Sequence, residues 1–394
     1  MAVGETTPLV QETGLLAPTI VLGVFYSAAG IYQVFSVFVA DKIAQTLGSS
    51  VGFVSLCQSL FWLGYAAATV LLLPFLDTYG RRGPLFVCGW IGLAAAMMSL
   101  TTHTELVYAV CQFLIGFFMM PTGNVAFVIA QEILPETRHN STLAFYNVSY
   151  SILGIAMAAA SYSCNGSQIS WQIQELFWYL PIVAALTAGP FFIHESLETL
   201  DKTQKLLPRQ EDVSLFRPPV SKLTGALMIC WLAVATGFYG LSYNSGNLAP
   251  DIYLNMGLLS CIDLVFYSMS LPIIDNLGKR EALATVLMGT SILMLMCAVL
   301  PEKSWTLMCV SLLARLCLDV GFASVFLLLA DFPACLRVSA LGAANTVARL
   351  GCASAPLLAL LPTSASCVGL SVLALLASGA AYSICEGEKE VAKV

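Results

Sequence analysis

What most limits the fold of this chain is the recurrence of apolar stretches about 20 residues long. A helix rises 1.5 Å per residue, so roughly 20 apolar residues cross a hydrocarbon core about 30 Å thick. Twelve such stretches fall at 18–40, 51–76, 84–102, 107–131, 143–163, 176–194, 222–243, 252–274, 282–300, 304–330, 338–361 and 365–385. Of 394 residues, 58% are hydrophobic and 10% charged, against about 25% charged in an ordinary soluble domain. The expected fold is an all-α membrane protein with twelve transmembrane helices. Too little chain is left over for a large soluble catalytic domain, a nucleotide cassette or a nucleic-acid reader, and a net charge of −6 gives no attraction to a polyanion.

The long polar break at 195–221 holds Glu195, Glu198, Asp201, Lys202, Lys205, Arg209, Glu211, Asp212 and Arg217. It divides the chain into an N-terminal six-helix half, 1–194, and a C-terminal six-helix half, 222–394, each with a short cytoplasmic tail; the break itself reads as a cytoplasmic linker. With both termini inside, thirteen of the 17 lysines and arginines lie on the inner side, Lys42 and Lys303 lie outside, and Arg315 and Arg349 fall within spans. Lysine and arginine accumulate on the cytoplasmic face, so this bias sets the orientation and favours an even number of crossings.

Two loop patterns repeat at half the chain length. Asp77-Thr78-Tyr79-Gly80-Arg81-Arg82 is echoed by Asp275-Asn276-Leu277-Gly278-Lys279-Arg280, and Glu132 and Arg138 around Pro135 are echoed by Asp331 and Arg337 around Pro333. Repetition of both argues for two duplicated halves in the same orientation, the organisation of a major facilitator transporter. The glycine ends a helix in the left-handed region, and the cations suit both the inner interface and a helix C-terminus. Asp77, Arg81, Arg82, Glu132, Arg138, Asp275, Lys279, Arg280, Asp331 and Arg337 are therefore the expected cytoplasmic gate.

Further residues carry a resemblance. Gln58-Ser59, Leu76 to Arg82, Phe238-Tyr239-Gly240-Leu241-Ser242-Tyr243-Asn244 with Asn247-Leu248, Asp263-Leu264, Arg315-Leu316-Cys317-Leu318, and Asn345 to Gly351 with Ser354 and Pro356 make the chain similar to solute carrier family 22, the organic anion and cation transporters. The likeness runs from about residue 50 to the end. It implies alternating access by two six-helix halves, with a small organic ion held near the midplane. The departures are a short connection, 41–50, where the family has a large outer domain, Leu73 in place of a glycine, Thr78 in place of a base, His194-Glu195-Ser196-Leu197-Glu198 after span six, and Asp331-Phe332-Pro333 one residue short. They favour the rival expectation, a non-transporting relative acting as scaffold, trafficking partner or ligand sensor.

Charges inside the bilayer are the strongest functional pointers, because an arginine at a helix centre costs about 2.5–3.5 kcal/mol on insertion scales. The resemblance places Arg349 where anion carriers keep an arginine, which favours organic anions; pairing with Asp319 or Asp263 is the structural alternative. Tyr267, where many anion carriers have lysine, weakens that preference. Arg315 and Asp319 are one helical turn apart and suited to satisfy each other, and Asp263 reads equally as structural or coupling. Phe238, Tyr239, Tyr243, Phe322 and Phe326 resemble the family's aromatic substrate cage, with Asn124, Tyr146 and Tyr150 as weaker candidates.

The remaining signals lead elsewhere. The 13 cysteines sit mostly in apolar stretches with no metal-ligand spacing, and neither a phosphate-binding loop nor a serine-hydrolase motif is present. No enzyme activity, cofactor or metal is expected; the expected partners are the small organic ion and the lipid bilayer, at the plasma membrane. Asn165-Gly166-Ser167 is a sequon in a predicted outer loop.

Overall fold

The computed structural model describes residues 8–72, 80–134, 136–167, 169–193, 214–218, 220–332 and 336–391, with no strand among them. The helices are α1 (Pro8–Leu47), α2 (Val51–Leu71), α3 (Arg82–Thr101), α4 (Glu105–Phe118), α5 (Met120–Ile133), α6 (Glu136–Ser163), α7 (Trp171–Phe192), α8 (Val220–Tyr243), α9 (Ser245–Leu248), α10 (Ile252–Leu277), α11 (Lys279–Val299), α12 (Trp305–Leu328), α13 (Arg337–Leu358) and α14 (Thr363–Val391).

The expected fourth span is bent into α4 and α5 at Met119. Pro121 has no N–H to give to the Phe117 carbonyl one turn back, and the Met119 carbonyl takes both the N–H of Thr122 at 3.1 Å and its hydroxyl at 2.5 Å. Residues 8–17, read from the sequence as part of a tail, are helical and continue into the first span. Serines open several helices at the end opposite Gly80: the side chains of Ser50, Ser170 and Ser304 accept from the third residue onward, satisfying amides that have no intrahelical partner.

Among the described residues, eight helices are long and apolar enough to cross a membrane: α2, α3, the bent α4–α5 pair, α7, α8, α11, α12 and α14. Of the other long helices, α6 and α13 carry more polar residues, and the reason is their position. The helices α6 and α10 pack on each other, as do α2 and α13. These two contacts join the first six spans to the last six, so their polar side chains face protein rather than lipid. Asn147, Ser151, Asn255, Ser260 and Asp263 are all buried.

Small residues set how closely these layers approach. A Cβ on Gly64 would lie 2.2 Å from the Phe113 carbonyl, and one on Gly116 would lie 1.8 Å from that of Phe61, so α2 and α4 touch backbone to backbone. A Cβ on Gly154 would meet Ser260 Oγ at 2.3 Å, which brings α6 against α10. Small residues allow such approach where the hydrophobic effect between helices is weak.

Candidate functional site

At the end of the bundle carrying Gly80, the two sequence echoes have the same geometry. Gly80 and Gly278 both have φ of +87°, the left-handed region that glycine enters without strain. Arg81 pairs with Glu132, and Lys279 pairs with Asp331. The neighbouring arginines reach distant backbone carbonyls: Arg82 donates to Pro190 O at 2.8 Å and Ile193 O at 2.5 Å at the end of α7, and Arg280 to Ile384 O at 3.0 Å within α14. Arg280 also reaches Asp331 Oδ2, at 2.7 Å. Asp275, expected in this network, is exposed and makes no ion pair among the described residues; one exposed turn before Lys279, it stands outside the Asp331 cluster. Asp77 lies outside the described residues, as do the side chains of Arg138 and Arg337.

In the middle of the bundle is a narrow crevice. Tyr150 of α6, Phe238, Tyr239 and Tyr243 of α8, and Asp263 and Arg315 line it. Toward the end opposite Gly80, Tyr253 stacks on Phe38 at 5.5 Å and meets Tyr162 edge-on at 5.9 Å, joining α1, α6 and α10.

Arg315 does not satisfy Asp319 as the helical spacing suggests. It turns to Asp263 instead, with Nε to Oδ1 and Nη2 to Oδ2 both at 2.8 Å. Its Nη1 donates to the Phe238 carbonyl at 2.7 Å and to Ser242 at 3.2 Å, and its guanidinium covers the Phe238 ring. The planar fork of arginine matches a carboxylate across two helices better than a side chain on its own turn. Asp319 is left at 3.7 Å from Nε.

Arg349 pairs with neither Asp263 nor Asp319 and makes no ion pair among the described residues. Its Nη2 donates to the Tyr65 hydroxyl at 3.3 Å, and its guanidinium lies 4.3 Å from the Tyr65 ring centre and 5.7 Å from that of Trp62. The same hydroxyl accepts from Asn124 at 2.7 Å. With both lone pairs of the hydroxyl taken, its O–H is free to donate. The buried Nε of Arg349 has no hydrogen-bond partner. Arg349 is not among the residues lining the crevice; Tyr239, packed on Trp62 at 4.5 Å, stands between the two groups.

Other expected site residues divide. Phe238 and Phe322 meet edge-on at 5.1 Å, and Tyr243 accepts from Trp62 Nε1 at 3.2 Å. Phe326 is not part of this cage: one turn beyond Phe322, it packs on Trp231 at 4.7 Å and is half exposed. Tyr146 is fully buried between α1 and α6, stacked on Tyr26, and its neighbour Tyr150 reaches the crevice in its place. Tyr65, Trp62 and Tyr26 went unnoticed in the sequence, where an aromatic residue in an apolar helix is indistinguishable from lipid-facing bulk. Tyr26, whose hydroxyl donates to Asn147 at 2.8 Å, shows the same polar use of a tyrosine.

Comparison with known proteins gives consistent matches. A model of the Major Facilitator Superfamily matches residues 20–356. The "Organic cation transporter-like protein" of Drosophila melanogaster is 23% identical over 354 residues, covering 78% of this chain and 62% of its own. "Organic cation/carnitine transporter 2" of Homo sapiens is 23% identical, covering 76% and 60%, and "Organic anion transporter 3" of Oryctolagus cuniculus 23%, covering 77% and 62%. The chain thus spans about three fifths of the length of these relatives. Among solved structures, a D-xylose-proton symporter aligns with a TM-score of 0.73 at 14% identity, over 94% of this chain and 97% of its own. A nucleoside transporter aligns with a TM-score of 0.67 at 10% identity, over 93% and 99%.

Proposed function

We propose, from the premise that this chain belongs to the Major Facilitator Superfamily, that it carries small organic anions across the plasma membrane by alternating access. The halves 1–194 and 222–394 rock about the crevice, and both termini face the cytoplasm. The observation that carries the anion reading is Arg349: a guanidinium held by Tyr65 and aromatic faces, with no carboxylate partner among the described residues and a buried Nε–H left unused. Together with the O–H of Tyr65 it offers two donors to one anionic group. Motion of Tyr239 and Trp62 opens the path from crevice to Arg349, and Phe238, Tyr239 and Phe322 form apolar walls for the organic part.

One observation favours a cation instead. The crevice side of the site holds two carboxylates, Asp263 and Asp319, to the single guanidinium of Arg315, and the relatives include proteins named for cations as well as anions.

The deciding experiment is uptake of labelled organic anions, cations and neutral analogues into vesicles containing the purified protein, against empty vesicles. Anion uptake is expected to exceed the control, and Arg349→Gln to lower it about 10- to 100-fold, the range of a hydrogen bond to a charged group. Cation uptake indifferent to Arg349→Gln overturns the anion reading. No uptake of any class turns the reading to a non-transporting relative.

A further inference from the structure

Asp319 holds a position that its partners do not explain. It is 4% exposed, and its Oδ2 is buried without a hydrogen-bond partner. Arg315 has five N–H groups, and four are committed to Asp263, the Phe238 carbonyl and Ser242. The single hydrogen on Nε points to Asp263 Oδ1, so the 3.7 Å from Nε to Asp319 is proximity without a hydrogen bond. Asp263 and Asp319 stand on the same guanidinium, at 2.8 Å and 3.7 Å. Two ionised carboxylates cannot hydrogen-bond, because neither has a donor; one proton between them supplies it.

Charge leads to the same result. Two carboxylates and one guanidinium leave one negative charge in the dry interior, and an uncompensated buried charge is relieved by neutralisation. Among the described residues, Arg315 is the one cation that pairs with Asp319. From α10 comes Asp263, from α12 itself Arg315 and Cys317. The residues of α8 and α11 that pack on positions 315–322 of α12, Val234, Gly237, Phe238, Ser242, Val286 and Gly289, are uncharged.

We propose that Asp319 is a proton-binding site, its protonated carboxyl donating to Asp263, and that this proton is coupled to movement of the organic anion. Asp263 and Arg315 line the crevice, so proton binding at Asp319 changes the charge of the crevice wall from −1 to 0. An anion entering the crevice is repelled in the first state and not in the second. Proton and anion therefore favour each other's binding, as linkage requires. The coupling half of this inference rests on the transport reading; the proton site does not.

Two measurements separate them. In infrared spectra of the purified protein, a carboxyl C=O stretch sensitive to deuterium exchange should titrate with pH and vanish in Asp319→Asn. Its absence from the natural protein, or its persistence in Asp319→Asn, overturns the proton site whether or not the protein transports. In vesicles at zero membrane potential, the anion accumulation ratio should rise about tenfold per unit of imposed pH difference, the limit for one proton per cycle. Asp319→Asn should abolish this response. Transport that ignores the pH gradient, or follows a sodium gradient instead, overturns the coupling and leaves the transport reading standing. Should Asp319→Asn not fold, the pH titration of the natural protein decides the site.

Discussion

A guanidinium has five N–H donors, and how Arg315 and Arg349 dispose of theirs separates a structural charge from a binding one. Four donors of Arg315 meet fixed acceptors on α8 and α10, and such a group tolerates no loss of partner. Asp263→Asn should destabilise the protein by about 1.5–3 kcal/mol, the worth of hydrogen bonds to a charged group, since Asp319 at 3.7 Å remains to balance Arg315. Exchanging the two charges, Asp263→Arg with Arg315→Asp, should recover part of that loss. Thermal unfolding in detergent checks both; an unfolding temperature unmoved by Asp263→Asn means the pair does not hold α10 to α12. Arg349, by contrast, is expected to reveal itself in uptake and not in stability, since it has no carboxylate to lose among the described residues.

At the scale of the helix, two devices do different work. Backbone contact between α2 and α4 depends on glycine on both sides, with the Gly64 and Gly116 Cβ positions at 2.2 and 1.8 Å from facing carbonyls. Gly64→Val should cost about 1–3 kcal/mol or more through overpacking. Gly225→Ala, with no atom within 4 Å of its Cβ, should leave the unfolding temperature level or raise it slightly. A Gly64→Val protein as stable as the natural one contradicts the close approach. The second device is the set of ion pairs Arg81 with Glu132, and Lys279 and Arg280 with Asp331, which bind helix ends that the proposed alternating access would separate or regroup. Glu132→Gln and Asp331→Asn are each expected to slow turnover several-fold with little change in KM, because the pairs lie at the bundle end and not in the crevice. Unchanged turnover at normal surface level reduces them to topology anchors.

For the whole molecule, the first six spans meet the last six through α6 on α10 and α2 on α13, so the proposed alternating access requires these contacts to slide or part. Gly154→Cys with Ser260→Cys places two thiols at a site where the facing Cβ atoms are 3.1 Å apart, near disulfide spacing. Oxidation should stop uptake and a reductant restore it; cross-linked protein that still transports contradicts movement at this contact. The apolar stretches and the paired glycines and ion pairs of the loop motifs were legible because hydropathy, helix ends and duplication are local or periodic properties of a chain. Two elements of the loop echo therefore have counterparts in space, Gly80 with Gly278 and Glu132 with Asp331. Partner choice in the interior was not legible. That Arg315 takes Asp263, 52 positions away, over Asp319 on its own turn, that Tyr65 gathers Asn124 and Arg349, and that Phe326 leaves the aromatic cage for Trp231 all depend on which helix lies opposite. Sequence by itself determined that these residues lie on membrane-length helices. Only the tertiary structure decided which charges neutralise one another, because at a few ångströms in a low-dielectric interior the strength of a pair is set by distance and geometry, and both are products of helix packing.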